Sequence, residues 1–252
     1  MRRYILVIIL FSAFQPLRAQ VRLSQFELRA GYNLHNSYAS RFNHLVESFN
    51  NARYPYEISD NLRSVNFLRG FNFGVNYKFR DDVIFHAVFK NQHRFIQCQY
   101  AGSNLYRQYM FRQNTMELGV TFPVGDVEQK FFRQNVSGGI VLGYMSVFTH
   151  WTGEGKYTGP GEMYNISHSA VLGLAASYEA QFRITDDVRL YLRPVAMFNL
   201  PSFIRNLNDF MNPSVEDGYV SYTAAEDDKY NSGSMSGLGI EGGLLISLPD
   251  FR

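Results

Sequence analysis

From Gln25 onward, apolar and polar side chains alternate with a period of two in eight separated stretches. That period assigns successive side chains to opposite faces of a strand. In Gln25 to Leu34, Phe26, Leu28, Ala30, Tyr32 and Leu34 fall on one face, opposite Gln25, Glu27, Arg29 and Asn33. In Phe71 to Phe79 every odd position is Phe, Val or Tyr, and Asn72, Gly74, Asn76 and Lys78 lie opposite. The pattern recurs in Val83 to Phe89, Thr115 to Phe122, Val136 to Phe148, Ala170 to Ile184, Val188 to Leu200 and Leu238 to Leu248.

Eight such segments of about ten residues, each with an unbroken apolar face, predict strands that cross a bilayer at a tilt. A soluble sandwich also alternates, but its exposed face would carry charges and its connections would be of similar length at both ends. Here the connections alternate. Arg80 to Asp82, Gly125 to Lys130 and Thr185 to Asp187 are tight, whereas His35 to Arg63, Trp151 to Asn165 and Pro201 to Gly233 are long, and Ala101 to Leu105 is a shorter member of the long set. The expected fold is an all-β, eight-stranded antiparallel up-and-down transmembrane barrel, with short periplasmic turns and long extracellular loops containing short helices. Phe79, Phe122, Tyr178, Phe182 and Tyr191, at strand ends, are expected at the headgroup level.

The first residues follow different rules. Arg2 and Arg3 precede an apolar run from Tyr4 to Phe14, and Leu17-Arg18-Ala19 precedes Gln20, which reads as a signal peptide over 1–19 and a barrel over 20–252. The run is shorter than the roughly 20 residues a spanning helix needs, and no later segment approaches that length. No cysteine follows the run to accept a lipid anchor. The composition agrees with a barrel: 20 Gly, 22 Phe and 17 Tyr, with a charged fraction of 18%. One cysteine, Cys98, allows no disulfide framework and no thiolate zinc site within the chain.

The last strand reads Glu241-Gly242-Gly243-Leu244-Leu245-Ile246-Ser247-Leu248. Glu241, Gly243, Ile246 and Leu248 stand at the positions of the C-terminal signal by which the barrel assembly machinery recognises its clients, although Phe251 here is followed by Arg252. From Phe26 to Leu248 the chain resembles small eight-stranded outer-membrane barrels of the OmpA/OmpX type. The Ala-Gln cleavage site and the Tyr- and Asn-rich strands are similar to proteins of the Bacteroidetes. The resemblance implies a fold and an outer-membrane location reached by signal-peptide export. It implies little about task, since one fold hosts many functions.

Eight strands enclose an interior only wide enough for side chains. The inward set includes Glu27, Arg29, Lys78, His86, Lys90, Glu117, Glu179, Arg183, Arg189, Arg193 and Glu241. A narrow, poorly hydrated lumen demands that each charge find a partner, so these are expected to form a paired network that fills the barrel. Catalysis would need a nucleophile, a base and an orienting group together. The nearest arrangement is Ser167-His168-Ser169 with Glu179 on the same strand, but alternation turns His168 away from both serines. His35, His44, His93, His150 and His168 show no ligand spacing, and the acidic stretch from Asp209 to Asp228 fits a calcium loop poorly. No metal or cofactor is expected, and no basic run suggests nucleic acid.

Two loop segments carry apolar stripes at helical spacing: Phe42, Leu45, Val46 and Phe49 after Ser40, and Phe203, Leu207, Phe210 and Met211 after Pro201. Each Leu or Phe left in water forfeits about 1.5–3 kcal/mol, so each stripe must cover the barrel's own mouth or form a face for a partner protein. The sequence therefore predicts a non-enzymatic barrel in contact with outer-membrane lipid, serving as a structural or accessory subunit with another outer-membrane or surface protein. A passive barrel or small pore, and a lipid-modifying enzyme, are the alternatives.

Overall fold

The computed structural model describes residues 25–37, 40–51, 58–102, 106–125, 131–152, 163–203, 232–233 and 235–249. The elements in chain order are β1 (Phe26–Ser37), α1 (Ser40–Asn51), β2 (Ile58–Asp60), β3 (Phe67–Arg80), β4 (Val83–Tyr100), β5 (Tyr106–Val124), β6 (Phe132–Thr152), β7 (Tyr164–Arg183), β8 (Val188–Asn199), β9 (Ser202–Phe203), β10 (Ser232–Gly233) and β11 (Gly237–Ser247). Eight of the strands run antiparallel in the cyclic order β1, β3, β4, β5, β6, β7, β8, β11, and the β1–β11 and β4–β5 pairings complete the closed barrel. Closure satisfies every strand edge, which a wall in hydrocarbon requires. The short β2 adds to the upper end of β4, where Ile58 pairs with Tyr100.

The barrel is inside-out relative to a soluble one. Leu28, Phe71, Phe73, Leu118, Leu142, Leu172, Leu174, Leu192 and Ile246 are exposed on its outer wall, whereas Glu27, Lys90, Glu117, Glu179, Arg193 and Glu241 are buried within. One ladder row shows the wall's character: Phe73 pairs with Phe89, Phe89 with Met116, Met116 with Leu142, and Leu142 with Leu172. This excludes the soluble sandwich, and it is the architecture of outer-membrane barrels. Among the described residues no helix is long and apolar enough to cross a membrane.

Strands β4 to β7 have 18 to 21 residues, well beyond the ten or so expected, while β1 and β8 have 12 and β11 has 11. The extra length lies at the long-loop end, and there the alternation reverses phase. On β4 the outward residues are apolar up to Phe89, but from Ile96 onward the apolar residues Ile96, Cys98 and Tyr100 are buried inside. On β5, Tyr109 and Phe111 turn inward in the same way, and on β6 Met145 and Val147 do so. The reversal marks where the wall changes character: below it apolar groups lie on the outside, as a wall facing hydrocarbon requires, and above it they face a core.

The tight turns lie at the opposite end. Val188 N–H donates to Thr185 Oγ1 at 3.1 Å, and Gly125 adopts a positive φ of 86° where the chain leaves β5. Aromatics gather at this end as Phe79, Phe122 and Phe182. Tyr191 corrects the expectation: it is 1% exposed, lies inside the barrel, and donates to Asn72 Oδ1 at 2.7 Å. Its odd position on β8 puts it on the face of Arg189 and Arg193. Gly31 on β1 makes room for it, since a Cβ there would come within 2.4 Å of Tyr191 Oη and of Gly242 O.

Candidate functional site

The inward charges meet at mid-height of the lumen in a closed ring. Lys90 on β4 reaches Glu117 Oε2 at 2.6 Å and Glu241 Oε1 at 2.5 Å. Arg193 on β8 closes the circuit, through Nη1 to Glu241 Oε2 at 3.1 Å and through Nη2 to Glu117 Oε1. Two cations and two carboxylates from β4, β5, β8 and β11 therefore neutralise one another across the bore. All four are 1% exposed or less. Arg193 spends its remaining donors on hydroxyls, Nε to Ser177 at 2.7 Å and Nη2 to Ser137 at 3.2 Å. His86 bridges Glu117 Oε1 at 3.1 Å and Thr121 Oγ1 at 3.0 Å. Charge is cheap to hold in such a place only when every partner is supplied, and here each is.

Two further pairs fill the bore towards the periplasmic end. Arg29 bonds Glu179 and lies over the Tyr191 ring at 4.6 Å, while Glu179 also accepts from Gln181 Nε2 at 2.6 Å. Lys78 meets Glu27 at 2.7 Å. Arg183 and Arg189 depart from the expected network. Arg183 pairs with Asp186 in the periplasmic turn, and half-exposed Arg189 donates to Gln181 Oε1 at 3.3 Å. They lie at the last residues of β7 and the first of β8, where water competes for a cation. The uncharged members Asn33, Asn72, Gln92, Ser137, Ser177 and Tyr191 lie outside the expected charge network, although Asn33 and Asn72 fall on its face by alternation. Their signal was parity, the same inward register as the charged residues.

The mouth is stoppered separately. Phe42, Val46 and Phe49 of α1 are buried with Leu62, Val65, Leu68, Ile96, Cys98, Tyr100, Tyr109, Phe111, Met145, Val147 and Val171. Phe42 meets Phe111 edge-on at 5.9 Å, and Phe49 meets Tyr109 likewise at 6.1 Å. Two asparagines fix the helix to the following segment. Asn50 exchanges bonds of 2.9 and 3.0 Å with the Leu62 backbone, and Asn43 Oδ1 accepts from Val65 N at 2.7 Å. Phe42, Val46 and Phe49 are therefore buried against the chain's own barrel and not presented to a partner, while the Leu45 side chain lies outside the described residues. Burial against the inward aromatics of β5 is available at no cost in assembly, so the helix closes its own barrel. Of the second stripe, Phe203 lies in the two-residue strand β9, and Leu207, Phe210 and Met211 fall outside the described residues.

Ser167 and Ser169 are buried inside while His168 is exposed on the outer wall, as alternation requires. His168 instead finds Ser146 across the β6–β7 pair, with Nδ1 3.1 Å from Oγ. Their cross-strand row carries no carboxylate to orient the imidazole. Among the described residues no group of His, Cys, Asp or Glu could hold a metal ion. In the assembly-signal segment Glu241 belongs to the lumen ring, Ile246 faces outward, and Leu248 N–H donates to Phe26 O at 3.0 Å at the β1 seam.

The fold is that of a small outer-membrane β-barrel. No protein-family model matches the chain, and no curated protein matches it. Among solved structures it is similar to the outer membrane protein OprG from Pseudomonas aeruginosa, at 9% identity over 88% of this chain and 94% of that one, with a TM-score of 0.49. Neisserial surface protein A is similar at 11% identity over 89% and 97%, with a TM-score of 0.44. The outer membrane protease OmpT from Escherichia coli aligns at 10% identity over 73% and 64%, with a TM-score of 0.37.

Proposed function

We propose that this chain is a sealed, non-enzymatic barrel of the outer membrane, exported by removal of residues 1–19 and assembled through the β11 signal, that serves as a structural or accessory subunit at the cell surface. The observation that carries the reading is the double closure of the bore. The Lys90–Glu117–Arg193–Glu241 ring spans it at mid-height, and α1 stoppers it above. An ion would have to break a mutually neutralised ring and then displace an apolar plug. A passive pore is thereby disfavoured.

The accessory role is supported by shape. Strands β4 to β7 outrun β1 by six to nine residues, which at about 3.3 Å per residue is a one-sided wall standing roughly 20–30 Å along the strand direction beyond the low side. Its apolar interior is filled by the chain itself, and on its exterior Arg69 and His168 are exposed while Gln108, Met110 and Ser146 are covered. Single-channel recording on the purified barrel tests the sealing, and steady conductance would refute it. Purification in mild detergent tests the subunit role, and a lone monomer across several detergents would count against it.

A further inference from the structure

The outer wall carries one polar row where the apolar belt ends. Arg69 on β3 pairs with His93 on β4, His93 with Arg112 on β5, Arg112 with Ser146 on β6, and Ser146 with His168 on β7. All five share the parity of the exposed Phe73, Met116, Leu142 and Leu172 of the belt two rows below; Arg69 and His168 are exposed, His93 and Arg112 half-buried, and Ser146 is covered. The intermediate row is Phe71, Asn91, Asn114, Tyr144 and Ala170, in which Asn91 bonds Asn114. Continued onto the next strands, the same ladder row meets Leu34 on β1 and Ile240 on β11, both apolar and exposed. The cationic row thus begins on β3 and runs along the tall strands β4 to β7.

Neither this row nor the one below it contains a carboxylate, and neither Arg69 nor Arg112 has an ion-pair partner among the described residues. That contrasts with the lumen, where the central cations and carboxylates match. The Arg112 guanidinium carbon lies over the Phe148 ring at 5.6 Å. His168 is held by Ser146 and by the Tyr144 ring at 5.2 Å. Four steps of about 4.8 Å between strands make the row roughly 19 Å long, of the size of a phosphorylated disaccharide headgroup.

We propose that this row is a binding site for the phosphorylated sugar headgroup of an outer-leaflet glycolipid, with Arg69 and Arg112 as the phosphate ligands and His93 and His168 as flanking donors. Charge complementarity at the edge of an apolar belt selects this occupant. The acyl chains of such a lipid would lie on the belt row of Phe73, Phe89, Met116, Leu142 and Leu172, and its phosphates would reach the guanidinium row two rows above. The inference rests on the membrane placement proposed above, which cell fractionation tests separately.

The experiment uses the full-length mature barrel refolded in a neutral detergent and compares Arg69→Gln/His93→Gln/Arg112→Gln with wild type and with Arg80→Gln at the periplasmic turn. Native mass spectrometry reads retained lipid after addition of diphosphorylated lipid A, dephosphorylated lipid A, phosphatidylcholine, or inorganic phosphate. The expected result is selective retention of the diphosphorylated form by wild type and Arg80→Gln, with on the order of tenfold weaker retention by the triple variant. Circular dichroism confirms that the triple variant is folded. Equal retention by triple variant and wild type, or equal retention of the dephosphorylated lipid, would overturn the proposal. So would retention of inorganic phosphate that matches retention of lipid A, because the lipid would then be dispensable.

Discussion

Arg193 and Glu117 lie on strands that are not neighbours, yet the guanidinium of one faces the carboxylate of the other across the lumen, with Nη1 to Oε2 at 3.4 Å and a second bond through Nη2. Removing either partner strands the other where water reaches poorly. Arg193→Ala should therefore cost about 3–5 kcal/mol in urea unfolding of the refolded barrel. Leu174→Ala is the control. That side chain is 60% exposed on the lipid face, so its truncation opens no closed cavity and should cost less. The opposite order of effects would mean that the faces are inverted.

The Arg29–Glu179 pair allows a cleaner measurement because it stands apart from the ring. Arg29→Met and Glu179→Leu should each destabilise by about 3–5 kcal/mol, while the double variant should lose far less than the sum, since no uncompensated charge remains. Additive losses in the cycle would show that the two side chains do not depend on each other.

Backbone proximity makes a prediction about glycine. A methyl at Gly31 would approach Tyr191 Oη and Gly242 O to 2.4 Å, whereas the nearest atom to a methyl at Gly138 is 3.9 Å away. Gly31→Ala should cost about 1–3 kcal/mol and disturb the β1–β11 seam, and Gly138→Ala should be close to neutral. Thermal unfolding of the two variants under one detergent condition distinguishes them.

Cys98 reports on the plug. It lies on β4 beyond the phase reversal, outside the lipid belt, and burial pushes its thiol up to about 11. At neutral pH it is protonated and shielded, so maleimide labelling of the folded barrel should be slow. Phe42→Asp, which places a carboxylate at a site 2% exposed, should unseat α1 and speed labelling by on the order of tenfold or more while the barrel keeps its strand content. Unchanged labelling would show that α1 does not close the mouth.

The sequence by itself determined the eight strands, the face each side chain takes within the belt, and the membership of Glu27, Arg29, Lys90, Glu117, Glu179, Arg193 and Glu241 in the interior. A two-residue period in a lipid-facing wall is a local property, and each residue's parity suffices to read it. Three things were decided only by tertiary structure. Which carboxylate meets which cation depends on strands far apart in sequence coming together across the bore, as Arg193 and Glu117 do. Whether the Phe42, Val46 and Phe49 stripe meets a partner or its own barrel depends on the extra height of β4 to β7, which supplies Tyr109 and Phe111 for it to cover. That height was hidden because the period reverses phase above Phe89: where solvent replaces lipid outside, the apolar residues move inside, and an alternation read as one continuous face ends too soon.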